Sequence, residues 1–81
     1  MDNIQIYIGQ TIVKIRREKK ISQESLALTA NIDRHYMSDI ENGRRNISVE
    51  FLEKIAQALG TKGSTILSEA ESIIEQQKEI H

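Results

Sequence analysis

Residues 23–42 read QESLALTANIDRHYMSDIEN, and their pattern indicates the fold most clearly. Apolar side chains recur at helical spacing on both sides of Asn31, and Asn tolerates a left-handed backbone better than most residues. The segment therefore predicts two short helices joined by a tight turn, with small Ala27 allowing them to approach closely. This geometry allows one helix to brace another in the major groove of DNA. The predicted inward side chains are Leu26, Ala30, Ile32, Met37 and Ile40.

The remaining sequence fits a single small domain, 1–81, because 81 residues rarely hold two independent cores. Hydrophobic residues make up 38% of the chain and charged residues 28%, which predicts a compact soluble fold. The absence of cysteine excludes a disulfide scaffold and a thiolate zinc site, and suits a cytoplasmic location. No apolar run exceeds three residues, so we expect no transmembrane span, no signal peptide and no membrane partner.

Apolar spacing and capping residues predict five helices and no strands, an all-α fold. The first helix is expected to carry Ile4, Ile8, Ile12 and Ile15 on one face, and the fourth is expected to bury Leu52, Ile55, Ala56 and Leu59. The first helix is expected to begin after Asp2 or Asn3 and to run to about Lys19, and the second to begin after Ser22 and to reach the turn at Asn31. The third is expected between Asp33 and Asn42-Gly43, and the fourth between Ser48 and Leu59-Gly60. The fifth is expected to begin near Ser64.

Charge is distributed unevenly along the chain. Residues 1–47 carry 8 Lys or Arg and 6 Asp or Glu, a net charge of +2, whereas residues 48–81 carry 3 and 6, a net charge of −3. A polyanion can therefore approach one side of an otherwise acidic molecule.

Polar side chains share the outward side of the third helix at four-residue spacing. Arg34, near its start, can donate two hydrogen bonds to guanine O6 and N7. His35 can read a base or contact phosphate, and an incidental surface position is the alternative. Asp39 can accept from a base amino group, with a capping or solvent-exposed role as the alternative. The predicted base-contacting residues are Arg34, His35, Ser38 and Asp39.

These motifs resemble the Cro/phage-repressor type, or XRE, family of helix-turn-helix regulators. The resemblance covers residues 8–59 and rests on SQESLA at 22–27, YMSDIENG at 36–43 and LEKIAQALG at 52–60. Within that family, the sequence most resembles the controller proteins of bacterial restriction-modification systems. This narrower resemblance rests on residues 32–38, the loop 44–46 and an extra terminal helix. The sequence departs from the family pattern at Lys20 and Asn31, where glycine is common, at His35, where a small hydroxyl residue is frequent, and after Asn46, where many relatives have proline.

The resemblance implies a five-helix lambda-repressor-like fold and a transcriptional regulator that binds a palindromic, double-stranded DNA operator as a homodimer. It also implies regulation of the chain's own gene and an endonuclease gene, with RNA polymerase as a further partner. Arg16 and Glu41 are implied to form a structural ion pair. Tyr36 can offer its hydroxyl to a phosphate, with partial burial as the alternative. The predicted backbone-contacting residues are Gln23, Tyr36, Asn42, Arg44, Arg45 and Asn46.

The segment 64–80 carries an apolar stripe that a minimal four-helix version of this fold does not need. One part of the stripe can cover the chain's own core, and the remainder is predicted to form a two-fold dimer contact. The alternative is a helix wholly absorbed by its own core. The predicted dimer interface consists of Ile66, Leu67, Ala70, Ile73 and Ile74.

An enzyme is not expected, because the sequence has no cysteine nucleophile and no glycine-rich phosphate loop. We also expect no cofactor and no metal, since neither His35 nor His81 has a second ligand at suitable spacing. The alternative from another functional class is an antitoxin or adaptor, a protein-interaction module built on a helix-turn-helix scaffold. Salt-dependent binding to duplex DNA would separate the two hypotheses.

Overall fold

The computed structural model describes residues 3–80, with side chains described as far as residue 78. Within this range the chain forms five helices and no strand, so the predicted all-α class is confirmed. Asp2, the alternative first cap, and His81 lie outside the described residues. The helices are α1 (Ile4–Glu18), α2 (Gln23–Ala30), α3 (Arg34–Glu41), α4 (Val49–Ala58) and α5 (Gly63–Ile80).

Side-chain caps begin the first four helices, as the sequence predicts. The oxygens of Asn3, Ser22, Asp33 and Ser48 each accept a hydrogen bond from a backbone N–H in the first turn. These donors have no partner inside a helix, so each cap stabilises its helix by about 1 kcal/mol. Asn31 has the predicted left-handed backbone, with φ of 58°. The caps and this turn fix the path of the chain from α2 into α3.

The core is aliphatic and lies between all five helices. The predicted inward residues of the helix pair and of α4 are buried, as are Ile8, Ile12 and Ile15 of α1. Ile4, predicted to share their face of the helix, remains 38% exposed. Ile4 is the first residue of α1, and a helix end has fewer elements packed over it than the middle. Thr11 is buried on α1 instead, and its hydroxyl donates to the Tyr7 carbonyl oxygen at 2.8 Å.

Helix α5 packs against both α1 and α4, and this arrangement corrects part of the predicted dimer interface. Ile66, Ala70 and Ile74 are buried in the chain's own core because the two helices cover the centre of the apolar stripe. They are therefore not available to a second copy without rearrangement. Leu67 and Ile73, at the edges of the stripe, remain half-buried.

Gly9 sets how closely α1 approaches the end of α3. A Cβ atom at Gly9 would lie 2.5 Å from the Ile40 carbonyl oxygen and 2.6 Å from that of Glu41. These are backbone atoms of α3 and its last turn, so no side-chain rotation could relieve the clash. The missing side chain therefore determines where α3, the helix with the candidate DNA-reading face, lies on the core.

Candidate nucleic-acid interface

The start of α2 and the outward side of α3 form one open cleft. Its lining residues are Gln23 from α2 and Arg34, His35 and Ser38 from α3. Ser22 caps α2 and Asp33 caps α3, so the first turns of both helices are fixed beside this cleft. The structure thus brings together three predicted base-contacting residues and one predicted phosphate-contacting residue. The cleft offers donors of the kind that bind base edges and phosphates.

Arg34 is held only weakly by the protein. Its Nη1 atom lies 3.4 Å from Glu24 Oε2, and the two side chains are 61% and 75% exposed. Ion pairs between exposed side chains contribute little to stability, because water and salt screen them. The guanidinium can therefore exchange this carboxylate for a base edge at small cost.

A buried network joins α1, α2 and the end of α3. Arg16 donates to Glu41 through Nε, at 2.9 Å to Oε2, and through Nη2, at 3.0 Å to Oε1. The implied Arg16–Glu41 pair is therefore confirmed, with two parallel hydrogen bonds that fix the angle between α1 and α3. Arg16 Nη1 also donates to the Ile21 carbonyl oxygen at 3.0 Å.

Gln23 belongs to the same network, a link that the sequence analysis missed. Its Nε2 donates to Glu41 Oε1 at 3.0 Å. One amide N–H of Gln23 is thereby committed to the protein, while the second N–H can donate to a ligand in the cleft. Glu41 thus orients the predicted phosphate contact as well as the helix that carries the base-reading residues. A glutamine 18 residues before a glutamate gives no local periodic signal, so sequence spacing could not reveal this bond.

The loop after α3 carries its positive charges next to Asp39 and Tyr36. Arg45 Nε donates to Asp39 Oδ2 at 3.0 Å, and the Arg45 guanidinium carbon lies 4.5 Å from the centroid of the Tyr36 ring. Arg44 is more distant, with Nη1 4.0 Å from Asp39 Oδ1. The Tyr36 ring also packs edge-to-face on Phe51, with centroids 4.8 Å apart. Tyr36 therefore has the partial burial that was the alternative to a phosphate contact.

Asn42 and Ser38 contact each other at the end of α3. Asn42 Nδ2 donates to the Ser38 carbonyl oxygen at 2.8 Å and approaches Ser38 Oγ at 3.4 Å. The Ser38 carbonyl oxygen also accepts the backbone N–H of Asn42 at 3.0 Å, so the side chain of Asn42 adds a second hydrogen bond to the same acceptor. Asn46 and the side chain of Asn42 are exposed, so their predicted phosphate contacts stay predictions.

Neither a metal site nor a membrane span is evident in the part of the chain that the structure describes. Among the side chains of residues 3–78 there is no group of three or more His, Asp or Glu placed to hold a metal ion. No helix in this range is both long and apolar enough to cross a membrane.

The chain is similar to known helix-turn-helix proteins. Residues 12–66 match the HTH_3 family, described as helix-turn-helix. The chain is 46% identical over 72 residues to control protein C.MunI of Mycoplasma sp, covering 88% of this chain and 97% of that protein. It is 43% identical over 67 residues to control protein C.BamHI of Bacillus amyloliquefaciens, covering 82% and 83% of the two chains.

A solved structure of similar fold is that of the restriction-modification controller protein C.Esp1396I, as a tetramer in complex with its natural 35-base-pair operator. The TM-score is 0.78 at 32% identity, and the match covers 89% of this chain and 95% of that chain. The family match spans more than half of the sequence and includes every helix of the cleft. The chain therefore belongs to the XRE-type helix-turn-helix family, with restriction-modification controller proteins among its relatives.

Proposed function

We propose that the chain is a sequence-specific DNA-binding transcriptional regulator, the controller protein of a restriction-modification system, acting on its own gene and an endonuclease gene. The observation that carries this proposal is the cleft lined by Gln23, Arg34, His35 and Ser38 on α2 and α3. The similarity to two control proteins and to an operator-bound controller protein supports it. The proposed activity is binding without catalysis, in the cytoplasm, where the DNA lies.

In the proposed complex α3 enters the major groove. Arg34 is free to donate to guanine O6 and N7, while His35 and Ser38 contact neighbouring base edges. The N-terminus of α2 and the amide of Gln23 contact a phosphate, because backbone N–H groups and the helix dipole favour an anion there. Further phosphate contacts come from the end of α3 and the loop that follows, and are assigned to Tyr36, Asn42, Arg44, Arg45 and Asn46.

The proposed regulator binds as a two-fold dimer. A palindromic operator needs two recognition helices about 34 Å apart, one turn of DNA. Leu67 and Ile73 keep part of their apolar surface exposed on α5 and are the proposed contacts with the second copy. RNA polymerase is the proposed further partner, since a controller protein that activates its promoter must recruit it.

The test is a binding assay in which fluorescence anisotropy measures the affinity of the chain for labelled duplexes at several salt concentrations. One duplex carries the DNA upstream of the chain's own gene, and a second has the same length and composition in scrambled order. The proposal predicts much tighter binding to the first duplex, with an affinity that falls steeply as salt rises.

Two control variants locate the interaction. Arg34→Ala should bind the upstream duplex more weakly, whereas Lys62→Gln, which removes one exposed positive charge outside the cleft and the loop, should keep the wild-type affinity. A chain that binds neither duplex at low salt would support the antitoxin or adaptor hypothesis instead.

A further inference from the structure

Asp39 presents a carboxylate on the side of α3 that is proposed to face DNA. A carboxylate there repels phosphates unless a cation accompanies it. Its side chain is 32% exposed, and both of its oxygens face loop arginines. The closer contact is the hydrogen bond from Arg45 Nε at 3.0 Å, and the Arg44 contact is a full 1 Å longer at 4.0 Å. Arg45 is therefore the main partner of Asp39.

A second contact fixes the same guanidinium from another side. Arg45 lies over the Tyr36 ring, which is itself braced edge-to-face by Phe51, and Phe51 packs against the core. An arginine has five N–H donors, of which the Asp39 contact uses the one on Nε. Among residues whose side chains are described, 3–78, none accepts a hydrogen bond from the Arg45 Nη groups, so these groups can donate to a phosphate.

We infer that Asp39 is a positioning residue for Arg45, and through it a determinant of specificity for the operator. This inference rests on the proposed DNA-binding function. Together with the Tyr36 ring, Asp39 orders the long Arg45 side chain before DNA arrives, so the chain does not pay that ordering cost on binding. The ordered Arg45 side chain increases affinity only where a phosphate lies opposite its Nη groups. We expect this position in the operator complex and not on scrambled DNA.

The substitution Asp39→Asn keeps the shape of the side chain and removes its charge. Removal of a negative charge should leave binding to scrambled duplex unchanged or tighter. Operator binding should not gain in the same way, because Arg45 must now be ordered on binding. The ratio of operator affinity to scrambled-duplex affinity should fall about three- to tenfold, the cost of ordering one long side chain.

A double-mutant cycle identifies the partner. In the Arg45→Gln background, Asp39→Asn should leave the affinity ratio unchanged within about twofold, whereas in the Arg44→Gln background the ratio should still fall. A fall of equal size in the Arg45→Gln background would overturn the inference, because Asp39 would then read a base directly. An unchanged affinity ratio for Asp39→Asn in the wild-type background would also overturn the inference. Asp39 would then affect DNA binding only through its negative charge, equally on both duplexes.

A measurement without DNA separates this inference from the proposed function. The Arg45 Nε–H should exchange with water more slowly than that of Arg44 in the NMR spectrum of the wild-type chain, and Asp39→Asn should remove the difference. Equal exchange at both arginines in the wild type would overturn the positioning role, even if the chain binds its operator. If exchange at Arg45 is slow but the chain binds no DNA, the positioning role stands and the proposed function is refuted.

Discussion

Replacement of Glu41 by alanine should destabilise the fold through one buried contact. Glu41 accepts two hydrogen bonds from Arg16 and one from Gln23, and the side chains of the ion pair are only 12% and 5% exposed. Removing one partner of a buried ion pair costs about 3 to 5 kcal/mol, because the other charge is left uncompensated. Arg16 keeps its bond to the Ile21 carbonyl oxygen, so we expect the lower end, about 3 kcal/mol.

Urea denaturation followed by circular dichroism measures this loss. A chain of this size has a total stability of about 4 to 12 kcal/mol and a slope near 1 kcal/mol per molar urea, so a loss of about 3 kcal/mol should lower the midpoint by about 3 M. Glu24→Ala is the matched control, since it breaks the exposed pair with Arg34 and should cost less than about 0.5 kcal/mol. The pair Arg16→Met with Glu41→Leu should recover more than half of the loss.

The urea midpoints of Glu41→Ala and Glu24→Ala together test whether the buried network stabilises the fold. If Glu41→Ala lowers the midpoint no more than Glu24→Ala does, the buried network does not hold α1 and α3 together. DNA binding by Glu41→Ala should fall as well, measured at a temperature where the variant is folded, because α3 and Gln23 both lose their support. Full operator affinity in a strongly destabilised variant would contradict that link.

Three further predictions concern the cleft, the core and the dimer. Arg34→Ala should weaken operator binding by about 1 to 3 kcal/mol and scrambled-duplex binding much less, and equal losses in anisotropy titrations would assign Arg34 to phosphate. Gly9→Ala should cost about 1 to 3 kcal/mol in urea denaturation, because the added Cβ meets α3 backbone, whereas Gly63→Ala meets the flexible end of Glu53 and should cost less. Leu67→Glu with Ile73→Glu should yield a folded monomer in sedimentation and lose tight binding to the full operator; a wild-type monomer at micromolar concentration with intact operator binding would refute the dimer.

The capped helix pair was predictable because its signals are local. Ser22 and Asp33 stand immediately before the helices that they cap, and Asn31 takes the left-handed backbone for which it is suited. The outward face of α3 followed from four-residue spacing alone. Local signals therefore gave the elements and the candidate base-reading residues.

Contacts between distant segments were not predictable from spacing. The apolar stripe of α5 indicated a buried face, but only the packing of α1 and α4 shows that Ile66, Ala70 and Ile74 are covered within the chain. The same holds for the close approach at Gly9 and for the hydrogen bond from Tyr7 to Gln77 at 2.6 Å. Each depends on how two elements meet, which no periodicity within one element encodes.

DNase footprinting on the DNA upstream of the chain's own gene tests whether α3 reads an operator. We predict two protected half-sites related by two-fold symmetry, with centres about one helical turn apart, because two copies of α3 enter successive major grooves. The Arg34→Ala variant should lose this protection at concentrations where the wild type gives it. No protection at low salt and micromolar protein, or protection that is identical for wild type and Arg34→Ala, would contradict the claim that α3 reads the operator.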